Sequence, residues 1–175
     1  KGIPGLRRAL AAYYQRRFDV GLDPESEVIA TLGSKEGLAN LASAITSPGD
    51  TILVPSPTYP IHTYGVLLAG GVPVTVPLGD PETLVDQFAA ALKVTRPRPR
   101  IVLCSFPHNP TTHCVDLDFF RSVVALAREH GAMIVHDFAY ADLTFDGYQA
   151  PSFLQAPGAK EVGVEFFTLS KSYNM

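Results

Sequence analysis

No run of apolar residues in this 175-residue sequence approaches the roughly 18 needed to cross a membrane. Cysteine is scarce: Cys104 and Cys114 are the only two, neither in CxxC nor in Cys/His metal spacing, which removes a zinc reading and suits a soluble, reducing compartment such as the cytoplasm. Charge is also low, at 18% of residues, with 14 basic and 17 acidic groups giving a net −3. No basic stripe stands out, so nucleic acid is not an expected partner. The stretch 93–100 comes nearest, but its basic residues alternate with Pro97 and Pro99 and read as a solvated loop entering a strand. Neither GxGxxG nor GxxxxGK[ST] occurs, so dinucleotide and P-loop readings lose their main support.

What is present is a large apolar fraction, 46%, enough for one sizeable core. The chain opens on Lys1-Gly2-Ile3-Pro4-Gly5 without an initiator methionine and stops just after the polar cluster Ser170-Lys171-Ser172. Both ends are expected to be cuts within something longer. Residues 6–18 place Leu6, Leu10, Tyr13, Tyr14 and Phe18 at helical spacing, with Arg7, Arg8, Arg16 and Arg17 opposite. Apolar runs at 28–32, 51–55, 72–76, 101–106, 132–135 and 164–169 read as strands, and 35–45, 61–69, 82–92 and 116–130 as helices. In the 116–130 helix, Phe119, Val123, Val124 and Leu126 are expected inside. Strands that are apolar without alternation are buried on both faces, so the expected fold is α/β, doubly wound, with a mostly parallel sheet and helices on both faces.

Ligands of such sheets bind beyond the carboxyl ends of the strands, so the polar residues that follow each run carry the information. Gly33-Ser34-Lys35 at a helix start offers N–H groups, a hydroxyl and a positive dipole end suited to a phosphate, or serves simply as an N-cap. Asn109, in a rigid Pro-His-Asn-Pro turn, donates to a ligand oxygen or closes an Asx turn. Asp137 follows four apolar residues and His136, a costly place for a carboxylate unless it meets a cation such as a protonated pyridine nitrogen; the alternative is a strand-end cap. Lys171, flanked by Ser170 and Ser172, projects toward the same crevice, where low-dielectric walls lower an amine's pKa and favour Schiff-base chemistry. Cys104 reads as a small buried hydrophobe, and Cys114 as a loop thiol with no activating neighbour in sequence. An aldehyde cofactor needs this whole inventory: an amine, an acid, hydrogen-bond donors, a stacking aromatic and a phosphate cradle.

The runs Gly33-Ser34-Lys35-Glu36-Gly37-Leu38, Pro57-Thr58-Tyr59-Pro60-Ile61-His62, Asn109-Pro110-Thr111, 136–142 and 166–175 resemble class I/II aminotransferases of the pyridoxal-phosphate fold type I. The likeness is strongest to the bacterial glutamate–pyruvate and LL-diaminopimelate subgroups. The resemblance implies pyridoxal 5'-phosphate as cofactor, a Schiff base on Lys171, and Asp137 as partner of the pyridine nitrogen. It puts Asn109 and Tyr140 on the 3′-oxygen and Tyr59 on the ring. It puts Ser34, Thr168 and Lys35 on the phosphate, Lys35 chiefly through its backbone N–H. The implied substrates are an amino acid and a 2-oxo acid, exchanged by a homodimer. Residues 1–27 are then a helix and connection, residues 28–175 an incomplete cofactor-binding large domain, and a small C-terminal domain is absent. In the family, an arginine beyond the lysine completes the phosphate site, a second near the C-terminus clamps the substrate, and a tyrosine comes from the dimer partner. All of these positions lie outside the chain, so weak or absent transamination is expected of it as it stands. Competing readings are a carbon–sulfur lyase or decarboxylase of the same fold, a non-catalytic α/β binding module, and a nicotinamide oxidoreductase suggested by fold alone.

Overall fold

The computed structural model describes residues 1–175. Helix α1 spans Pro4–Phe18 and α2 Ser34–Ile45; β1 Thr51–Ser56, α3 Pro60–Leu68, β2 Val72–Pro77, α4 Pro81–Val94, β3 Ile101–Ser105, α5 Leu117–His130 and β4 Met133–Phe138 follow. A 3-10 turn at Phe153–Gln155 and the short helix α6 Ala159–Val162 precede β5 Gly163–Phe167. Local chemistry sets several of these limits. The Asp80 and Asp116 side chains accept from the Thr83 and Phe119 N–H groups and so cap α4 and α5. Gly131, at φ 66°, ends α5 in the left-handed conformation that a glycine adopts without strain.

The five strands form one parallel sheet in the order β2-β1-β3-β4-β5. Alternate strand residues feed two separate cores. Leu53, Val102, Cys104 and Ile134 pack under α4 and α5 with Phe88, Phe120 and Phe153. Ile52, Val54, Ile101 and Val135 pack on the other face with Leu38 of α2 and Val66 of α3. A third cluster seats Tyr14 and Phe18 of α1 against Phe138, Ala141 and Ala150. Each fully buried Phe, Leu or Ile contributes about 1.5–3 kcal/mol by leaving water, which explains why the two-faced strands need no polar alternation. Cys104 is fully buried, as expected of a small hydrophobe, and burial pushes its thiol up to about 12.

Three expectations need correction. Residues 28–32 are apolar but form no strand, and Ile29 and Leu32 are 66% and 91% exposed. A strand exists only as part of a ladder, and this segment's backbone bonding is Ala30 N–H to the Lys1 carbonyl. A groove of about 490 Å³ lies between it and the outer edge of β5. On α1, Leu6 faces out while Arg7 is buried, because its guanidinium reaches the Pro24 carbonyl and the Glu25 carboxylate. On α5, Leu126 only partly enters the core, whereas Phe120 is wholly buried.

Exposure separates two isoleucines that the sequence alone makes equivalent. Ile134→Ala, at a fully buried position, should lower unfolding free energy by roughly 2–5 kcal/mol. Ile29→Ser should change it by less than about 0.5 kcal/mol. Urea titration followed by circular dichroism measures both.

Candidate active site

The parallel sheet aligns its carboxyl ends, and the order β2-β1-β3 makes the chain leave β1 toward one side and return on the other, opening a crevice between β1 and β3. At that end lies a cleft of about 350 Å³, within the roughly 300–1,000 Å³ usual for small-molecule sites. Ser34, Lys35, Tyr59, Asn109, Asp137, Tyr140, Thr168 and Lys171 all line it. They arrive on five segments: the start of α2, the loop after β1, the turn after β3, the end of β4 and the stretch after β5.

Asp137 lies within β4 rather than after it and is 4% exposed. Its Oδ2 is 3.0 Å from His62 Nε2, and His62 Nδ1 is 2.6 Å from the Thr58 hydroxyl. An ionised carboxylate only accepts, so Nε2–H donates to Asp137, while Nδ1 shares a hydrogen bond with the Thr58 hydroxyl. Asp137 Oδ1 is buried with no partner. A buried acceptor left unmatched costs about 1–3 kcal/mol, so the cleft is built to receive a donor at this point. A protonated ring nitrogen fits it.

At the other end of the cleft, Gly33 precedes α2 and no side chain caps the helix. The capping alternative for the Gly-Ser turn is therefore not met, and the first N–H groups of α2, with the Ser34 hydroxyl, stay available to an anion. Lys35 Nζ sits 5.7 Å from the centre of the Tyr59 ring. Asn109 Nδ2 donates to the Tyr140 hydroxyl at 3.3 Å, and the Thr168 and Ser170 hydroxyls are 3.0 Å apart. Lys171 Nζ lies 6.0 Å from the Tyr140 ring centre. Lys171 and Ser170 are exposed.

Sequence reasoning misses His62 and Ser105 as site residues. Ser105 is 2% exposed, pairs in register with Asp137 across the β3–β4 ladder, and lines the cleft. For His62 a signal exists in retrospect: it shares the buried face of α3 with Gly65 and Val66, where a polar side chain needs a partner. Cavity size does not select the site, since a neighbouring hollow of about 660 Å³ borders Asn109 and Tyr140 as well. The unmatched carboxylate oxygen does.

The family described as Aminotransferase class I and II matches residues 1–175, and the chain belongs to that family, whose members work through pyridoxal phosphate. Glutamate-pyruvate aminotransferase AlaC of Escherichia coli (strain K12) is 53% identical over 175 residues, which are 100% of this chain and 42% of that protein. An LL-diaminopimelate aminotransferase of Desulforudis audaxviator is 47% identical over 174 residues, 99% of this chain and 44% of the relative. Among solved structures, a probable N-succinyldiaminopimelate aminotransferase from Thermus thermophilus superposes with a TM-score of 0.87 at 36% identity, covering 98% of this chain and 46% of the other. The aromatic aminotransferase from Pyrococcus horikoshii OT3 gives 0.90 at 25% identity, over 99% and 46%. The chain thus spans less than half the length of the relatives it matches.

His108, one residue before Asn109, is 3% exposed. Burial, and then the proximity of His62 and His113, pushes its imidazole down to about 4. The unfolded chain, with a usual value of about 6.5, takes up this proton first as pH falls. The stabilisation linked to His108 is therefore complete above about 6.5 and lost as pH drops toward about 4. NMR titration of the His108 ring should show no protonation near pH 6; a midpoint there would contradict the burial.

Proposed function

We propose that the chain is the cofactor-binding part of a pyridoxal-phosphate-dependent aminotransferase. It would move an amino group between a small amino acid, alanine or glutamate, and a 2-oxo acid. The observation that carries this is the unmatched Asp137 Oδ1 in one cleft with the Lys171 amine. When bound, pyridoxal phosphate supplies an aldehyde that condenses with amines and a ring that draws electrons from the bonds of the attached carbon.

Each residue then has one task. Asp137 Oδ1 accepts from the ring N–H and keeps that proton in place, while His62 holds the carboxylate through Oδ2. Asn109 and Tyr140, already bonded to each other, donate to the 3′-oxygen, and Tyr59 covers the ring. Ser34, Thr168 and the N–H of Lys35 hold the phosphate. Lys171 Nζ would hold the cofactor, and as a free amine it would move the proton at the substrate α-carbon. The choice of alanine and glutamate is supported by the likeness to the Escherichia coli relative. A cytoplasmic homodimer belongs to the same proposal, supported by two free cysteines and the family likeness.

Incubation with pyridoxal phosphate followed by borohydride should leave a reduced cofactor mass on the peptide containing Lys171. Labelling that persists unchanged in Lys171→Ala would mean the amine has been assigned wrongly. Asp137→Asn keeps the shape but removes a charge-assisted bond worth about 1.5–3 kcal/mol, so cofactor affinity should fall roughly 10- to 150-fold. With alanine and 2-oxoglutarate the full-length enzyme that contains this chain should yield pyruvate and glutamate. Ammonia in place of glutamate would favour a lyase.

A further inference from the structure

We infer that helix α1 is a positioning clamp for the cleft, with Tyr13 and Tyr14 as positioning residues that fix its Tyr140 wall relative to its Lys171 wall. The inference rests on the cofactor reading above and extends it to a segment that lines no part of that cleft.

Helix α1 belongs to no ladder, so side chains alone attach it to the sheet. Two adjacent tyrosines, about 100° apart around the helix, reach two different walls. The Tyr13 hydroxyl lies within 2.8 and 2.9 Å of the two Asp142 oxygens, on the turn that carries Tyr140. The Tyr14 hydroxyl donates to Glu165 Oε1 at 2.8 Å, on the strand that leads to Thr168 and Lys171. The Phe167 ring sits against both tyrosines, with centres 5.0 and 6.0 Å away, and Phe18 meets Phe138, the residue after Asp137, at 5.6 Å. One rigid helix therefore touches the Tyr140 turn, the Asp137 strand and the Lys171 strand.

The two anchor points are held firmly. The Glu165 side chain is fully buried and also accepts from the Ser152 hydroxyl, the Phe153 N–H and His136 Nδ1, at 2.7, 2.7 and 2.8 Å. Asp142 also faces Arg17 at 3.6 Å. Burial first, then the carboxylates, raise both tyrosine hydroxyls, so both remain donors through neutral pH. Reacting groups are sensitive to displacements of about 1 Å, and relative displacement of the walls is what a two-point anchor resists.

Tyr13→Phe and Tyr14→Phe test this without stranding a charge, because Asp142 keeps Arg17 and Glu165 keeps three donors. Each should weaken capture of pyridoxal phosphate at Lys171 about three- to tenfold. Each should also move the pH midpoint of the bound cofactor's visible absorbance, which a loss of global stability does not do. Tyr64→Phe, at a 61% exposed position, should change neither. Parent affinity in both variants, or reduced affinity with an unmoved midpoint, would reduce α1 to a structural layer and overturn the inference. Should Tyr14→Phe fail to fold, the half-buried Tyr13 position decides alone. A parent chain that takes no label at Lys171 would sink the cofactor reading itself and the clamp with it, an outcome distinct from a parent that labels normally while the variants match it.

Discussion

Taking a carboxylate out of water costs several kcal/mol unless donors replace the solvent, and Asp137 imposes that constraint on everything around it. It lies near the end of β4, between β3 and β5, and is almost fully buried. One oxygen is met by His62, which α3 can supply because that helix covers the same sheet face as Val135. Thr58, in the loop from β1 to α3, holds the other ring nitrogen in turn. The second oxygen is met by nothing in the chain. A local deficit of about 1–3 kcal/mol is tolerable only in a scaffold whose cores are otherwise well filled, and the three hydrophobic clusters supply that surplus.

The sheet gathers weak signals into one place. With every strand parallel, every carboxyl end lies on the same side, so residues as far apart in sequence as Ser34 and Lys171 meet around one cleft. The demand on sequence is modest: strands apolar on both faces and helices with one apolar stripe. Solved aminotransferases at 25% and 36% identity therefore keep the frame, with TM-scores of 0.90 and 0.87.

Legibility from sequence follows the same division. The parallel core is readable because runs such as 101–105 are apolar almost without interruption, and Asp137 is readable because a carboxylate beside such a run is anomalous. What depends on a partner elsewhere is not readable. Residues 28–32 have the composition of a strand but join no ladder of this sheet. Arg7 is inside because the Pro24 carbonyl happens to meet it, a fact that helical periodicity does not encode. His62 cannot be tied to Asp137 without knowing that α3 packs on the sheet face to which Asp137 belongs. Glu165 is inconspicuous within an apolar run, since its four donors come from α1, the 152–153 turn and β4.

Glu165 and Asp137 together show how a structural carboxylate differs from one held open for a ligand. They sit one register step apart on neighbouring strands, on opposite faces of the sheet, and each is bonded to a histidine. Glu165 has both oxygens saturated, so it has little acceptor capacity left and serves as a joint. Asp137 keeps one oxygen free in a cleft that also contains an amine, an amide, phenol groups and an uncapped helix start. Burial alone would rank the two alike. The difference lies in the count of donors, and on that count the saturated joint on one face steadies the strands whose ends leave the other carboxylate waiting.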